Sequence, residues 1–124
     1  MVKDILQIGE KILNKKTTPV KEINSEDTKQ ILTDLFDTCK KNADISAGLA
    51  APQIGYNSRI CVCRRVDLEA LYQDQEVADD KLWEILINPH LIKKSKSLST
   101  EWEACLSIGE GEDNLWGPVE RNKK

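Results

Sequence analysis

The sequence predicts one domain that combines a long amphipathic helix with at least three strands. Three observations carry that expectation. Residues 25–41 hold an apolar stripe at helical spacing behind a capping serine. The runs Arg59–Val66, Trp83–Asn88 and Leu98–Ile108 are extended and rich in strand formers. The length of 124 residues suits one compact domain and leaves no room for two of ordinary size. A chain this long buries roughly two-thirds of its unfolded surface. A hydrophobic share of 40% beside a charged share of 31% is a globular balance, not a disordered one.

Taken in order, Ile5 to Pro19 reads as an extended arm with a short turn or helix around Glu10–Asn14, and Pro19 ends any helix there. The helix is expected from Ser25 to about Lys41. Asn24 or Ser25 can cap it, and Glu26 and Asp27 suit the positive end of its dipole, as Lys40 and Lys41 suit the other end. Ile31, Leu32, Leu35, Phe36 and Cys39 form its inner face, leaving Lys29, Thr33, Asp34, Asp37 and Lys40 outside. A run of small residues follows at Ile45–Gly55. The strand Arg59–Val66 places Ile60, Val62 and Val66 on one side and Cys61 and Cys63 on the other. Leu68–Lys81 is a polar, acidic excursion on the surface. Trp83–Asn88 is a second strand, closed by Asn88-Pro89, and Leu98–Ile108 is a third extended run. Gly109–Asn114 is a solvated loop, and Trp116–Lys124 begins a further element.

Eighteen basic residues against 21 acidic ones give a net charge of −3, which excludes a charge-driven nucleic-acid binder. The N-terminus lacks the unbroken apolar run of a signal peptide, and no stretch is long and apolar enough to span a membrane. Cys39, Cys61, Cys63 and Cys105 are therefore expected as reduced thiols in a cytoplasm. There is one histidine, His90, so no site in these residues uses two.

Two segments carry chemistry. In Ser46-Ala-Gly-Leu-Ala-Ala-Pro-Gln53 the small side chains let another backbone approach closely. The Gln53 amide is either aimed at a substrate oxyanion or satisfied by local backbone. Composition alone favours the second. In Glu103-Ala-Cys-Leu-Ser107, Cys105 is a metal thiolate, a nucleophile or a small buried hydrophobe. Its neighbours alone favour the last. A Cys–His pair would need His90, which reads as exposed or capping. A cysteine module of Cys61, Cys63 and Cys105 has only weak spacing to support it.

The order and wording of these segments resemble the peptide deformylases. Residues 46–53 are similar to the family's G-x-G-L-A-A-P-Q signature, Glu103–Ser107 to its E-G-C-L-S signature, and Ile87-Asn-Pro-His90 to its I-N-P-x strand end. The capped helix and the N-terminal Ile8–Leu13 segment match the family's layout, so the resemblance covers essentially the whole chain. It implies an α+β fold, mostly antiparallel strands packed around a helix. It also implies a metallohydrolase that removes the formyl group from the formyl-methionine of nascent polypeptides at the ribosome, without binding nucleic acid or membrane directly. The family's metal is iron(II) in many members, with zinc, nickel or cobalt as substitutes. It is held by the cysteine of the second signature and by both histidines of an H-E-x-x-H helix. Carried over, Cys105 is the metal thiolate, Gln53 the side-chain donor to the developing oxyanion, and Leu106 a backbone donor to the same oxygen. Ala47, Gly48 and Ala104 lie where family members pair their backbone with the substrate, as an added strand.

The sequence departs from the family in three places. Ser46 stands where the first signature has glycine, which is expected to strain the backbone if φ is positive there. Ala104 stands for the glycine beside the metal cysteine. The H-E-x-x-H signature is absent, so Cys105 is one of three implied ligands. Residues 1–124 are thus expected to be one incomplete deformylase-like domain, lacking the metal-binding helix, inactive as it stands and prone to associate through an exposed apolar patch. The alternative is a naturally short, degenerate domain that binds peptide N-termini or a partner without catalysis.

Overall fold

The computed structural model describes residues 1–71, 79–108 and 117–122. The expected loop at 109–114 and much of the 68–81 excursion lie outside them.

The long helix, α1 (Glu26–Lys41), forms as the capping pattern dictates. Ser25 Oγ accepts from the Thr28 N–H at 3.2 Å, acidic residues occupy the first turn, and lysines occupy the last. Asn42 closes it by donating its side-chain amide to Thr38 O at 2.8 Å. Leu35 and Cys39 are fully buried and Ile31, Leu32 and Phe36 pack around them, as the apolar spacing requires. Asp34 corrects the sequence reading. Placed on the outer face by spacing, it is only 1% exposed. Its carboxylate accepts from the Met1 ammonium at 2.8 Å, Gln30 Nε2 at 2.8 Å and Tyr56 OH at 2.6 Å. The N-terminal arm and the 51–56 turn cover that side of the helix, and a carboxylate tolerates burial only with such partners.

Strands β1 (Gly48–Ala50), β2 (Ile60–Arg64) and β3 (Trp83–Ile87) form an antiparallel sheet in that order, with Leu49 opposite Val62 and Val62 opposite Ile85. Leu49, Ile60, Val62 and Trp83 join Leu35 and Cys39 in one buried cluster, where Phe36 meets Trp83 edge-on at 6.4 Å. β2 stops two residues short of its expected end. Arg65 forks onto Asp67 at 2.9 and 2.7 Å, the chain turns into the short helix α2 (Val66–Leu71), and Val66 is left exposed. The 68–81 excursion is thus partly helical. β3 ends one residue early because Asn88 takes a left-handed φ of 53°. There the Asn88 amide accepts from the Val20 N–H at 2.7 Å and donates to Val20 O at 2.9 Å, which ties the arm to the sheet.

β4 (Leu98–Glu103) pairs antiparallel with β5 (Gly117–Asn122). The run expected to extend to Ile108 therefore bends after Glu103, and the Ile108 N–H returns to Cys105 O at 3.0 Å. Ile85, Leu86, Leu91, Ile92, Leu98 and Trp102 expose large apolar side chains along β3, β4 and their connection. Among the described residues no helix is long and apolar enough to cross a membrane.

Candidate active-site cleft

Pro52 opens a 3-10 turn at Ala51–Ile54, which lifts Gln53 beside the end of β1. Both ends of its amide are engaged. Oε1 accepts from the Ala50 N–H at 2.9 Å; Nε2 donates to Ser107 Oγ at 3.0 Å and approaches Cys105 Sγ at 3.6 Å. The local-backbone reading of Gln53 thus holds for the oxygen alone, and the nitrogen crosses to the 104–108 turn. That turn is clamped by the arm. Gln7 Nε2 donates to Leu106 O at 3.0 Å, the Ile8 N–H to Ser107 O at 2.7 Å, and the Leu6 N–H to Gln53 O at 2.8 Å.

These elements enclose an open cleft of about 690 Å³. Ala47, Gly48, Gln53, Ala104, Cys105 and Leu106, the six residues singled out in the sequence, all line it. Cys105 is exposed there, contrary to the buried position its neighbours alone suggest. The Leu106 N–H has no acceptor among the described residues. The lining also includes the Arg64–Glu69 ion pair, with the guanidinium over the Trp83 ring at 5.7 Å. His90 is exposed and is not part of the lining. Cys61 and Cys63 share a face of β2 outside the cleft, and burial pushes both thiols up from their ordinary range.

β1 is the edge of its sheet. The Arg64 N–H donates to Ala47 O at 2.6 Å, so Ala47 and Leu49 face β2 in the ladder. Gly48 and Ala50 consequently turn their N–H and C=O groups to the open side. Gly48 is suited to its place because a Cβ there would stand 3.0 Å from Val62 O. The strain expected of Ser46 does not arise, since Asn88 is the one non-glycine residue with positive φ among those described. Instead Ser46 Oγ donates to Gly48 O at 2.8 Å and accepts from the Gly48 N–H at 3.3 Å.

A divalent metal does not fit the donors present. Cys105 supplies one thiol, and no group of three or more His, Cys, Asp or Glu side chains among the described residues is placed to hold an ion. Sequence reasoning missed Gln7 and the Ser46 hydroxyl. The arm's glutamine carries no local signal, and a serine in a run of small residues reads as another small residue.

Comparison with known proteins decides the family. The family model for polypeptide deformylase matches residues 2–124. The chain belongs to the peptide deformylase family. It is similar to the peptide deformylase of Pseudothermotoga lettingae, 36% identical over 124 residues that make up 100% of this chain and 60% of that protein. It is also similar to peptide deformylase 2 of Clostridium perfringens, 38% identical over 106 residues, covering 86% of this chain and 58% of the relative. A crystal structure of a peptide deformylase from Legionella pneumophila superposes with a TM-score of 0.77 at 26% identity, over 98% of this chain and 61% of that one. The deformylase-like α+β fold expected from the signatures is therefore the one observed, and the chain spans about 60% of the length of the relatives it matches.

Proposed function

We propose that this chain is part of a metal-dependent peptide deformylase domain of the cytoplasm. The domain's substrate is the formyl-methionyl end of nascent polypeptides, met at the ribosome, and the 124 residues bind that end without hydrolysing it. The observation that carries this reading is the convergence of the Gln53 amide, the Cys105 thiol, the Leu106 N–H and the open edge of β1 on one cleft. The Gln53 Nε2 has two protons. One is committed to Ser107. The other meets only a weak sulfur acceptor at 3.6 Å, so a formyl oxygen replaces that contact at little cost. The Leu106 N–H supplies the second donor to the same oxygen, as an oxyanion hole requires. The backbone of Gly48 on one side and Ala104 on the other takes the peptide as an added strand, and Ala47, whose carbonyl is held by Arg64, lines the cleft beside it.

Cys105 is the thiolate ligand in this reading. The family's metal, iron(II) or zinc, nickel or cobalt in its place, needs further ligands that these residues do not supply, so no chemical step is assigned to it. The second reading is a naturally short, degenerate domain that binds peptide N-termini or a partner without catalysis. The nucleotide sequence beyond codon 124 separates the two: an H-E-x-x-H in any frame favours the enzyme, and unrelated sequence after a stop favours the binding domain. Activity is tested by loading the purified 124-residue chain with iron(II) without oxygen, or with zinc, and assaying formate from N-formyl-Met-Ala-Ser. The expected result is sub-stoichiometric metal and no formate. Stoichiometric metal with steady formate release overturns the claim of inactivity.

A further inference from the structure

We infer that the Ser46 hydroxyl is a built-in competitor for the peptide strand that β1 is poised to accept. The inference rests on the reading of the cleft given under the proposed function. A peptide adding to an antiparallel edge needs one residue's N–H and C=O on that edge, both pointing outward. On β1 the residue that lines the cleft and presents such a pair is Gly48. Ser46 Oγ takes both groups at once, donating its single proton to the carbonyl and accepting from the amide. One side chain thus makes the two contacts that a bound strand makes. Ser46 itself lines the cleft, so the competition takes place inside the site. A glycine or alanine at this position has no hydroxyl and leaves the edge open.

Ser46 is therefore a determinant of affinity, since peptide entry has to break two existing contacts before forming its own. The longer of them, 3.3 Å on the amide, is the weaker, and the carbonyl contact at 2.8 Å dominates. Gly48 is only half-buried, so removing the hydroxyl leaves its groups to water and not to an apolar void. The net gain for an incoming peptide is that of about one hydrogen bond, a threefold to tenfold lower Kd.

The test uses the full 124-residue chain as wild type, Ser46→Ala and Ser46→Thr, with N-formyl-Met-Ala-Ser as probe. Kd is measured by NMR titration, and exchange of the Gly48 amide is measured without peptide. Ser46→Ala is expected to bind threefold to tenfold more tightly and to exchange Gly48 several-fold faster, whereas Ser46→Thr, which keeps a hydroxyl, stays at wild-type values in both. Equal Kd for wild type and Ser46→Ala overturns the inference and leaves peptide binding in the cleft standing. Equal Gly48 exchange in the two overturns it whatever the affinities. Failure of all three proteins to bind the probe overturns both the inference and the functional reading beneath it.

Discussion

Replacing Gln53 by leucine should cost stability and peptide affinity together, whereas Gln53→Glu should separate them. Leucine keeps most of the volume but loses the acceptor for the Ala50 N–H at 2.9 Å and the donor to Ser107 Oγ at 3.0 Å. Each neutral hydrogen bond contributes about 1 kcal/mol net, and Ser107 is buried, so its hydroxyl is left without this partner. The contact to Cys105 at 3.6 Å adds little. The expected loss is about 2 kcal/mol. With a urea m-value of roughly 1–3 kcal/mol/M, the unfolding midpoint falls by about 1 M. Glutamate retains an acceptor for Ala50, and the Ser107 hydroxyl can rotate to donate to the second carboxylate oxygen, so Gln53→Glu should lose less than about 1 kcal/mol. It no longer donates to a formyl oxygen, however, and its peptide affinity should drop about as far as that of Gln53→Leu. Urea melts at pH 7 and peptide titrations of both variants read the two effects. A Gln53→Leu protein as stable as wild type would falsify the claim that this amide ties β1 to the 104–108 turn.

Other expectations follow from the same contacts. Burial pushes the Asp34 carboxyl up, but hydrogen bonds from the Met1 ammonium, Tyr56 and Gln30 prevail and hold it at about 2 instead of 3.8. Its contribution is fully present above the unfolded value and is lost as pH falls from about 4 to about 2. Urea midpoints of the wild type should drop across that window and those of Asp34→Asn should drop less; parallel curves refute the assignment. Gln7→Ala removes the tie to Leu106 O and should cost about 1 kcal/mol, with faster amide exchange at residues 105–107. Unchanged exchange there means that the arm does not clamp the turn. Ile92 and Trp102 are 90% and 69% exposed, so the chain should self-associate at rising concentration in sedimentation velocity, and Ile92→Lys with Trp102→Lys should reduce this. A monomer at all concentrations contradicts the prediction.

The elements legible in the sequence are those specified by nearby residues. Ser25 and the Ile31–Cys39 spacing delimit α1 because a cap and a 3.6-residue period are local signals. β2 was legible as a strand but not in its length, since Val66 continues the apolar alternation while the Arg65–Asp67 pair turns the chain. Strand pairing and the burial of Asp34 were not legible. The register of Leu49 on Val62 and the contacts of Asp34 with Met1 and Tyr56 join residues far apart in sequence, and no local pattern encodes them. The cleft residues were legible through the wording of two signatures. The hydroxyl of Ser46 was not, because its effect depends on Gly48 standing at an open edge.

The most direct test of the central claim is a single titration of N-formyl-Met-Ala-Ser into the ¹⁵N-labelled 124-residue chain, with formate followed in the same tube. Saturable shifts of the Gly48 and Leu106 amides and of the Gln53 side-chain NH₂ are expected, with no formate. Saturation without movement at those three groups, no binding at all, or accumulating formate contradicts it.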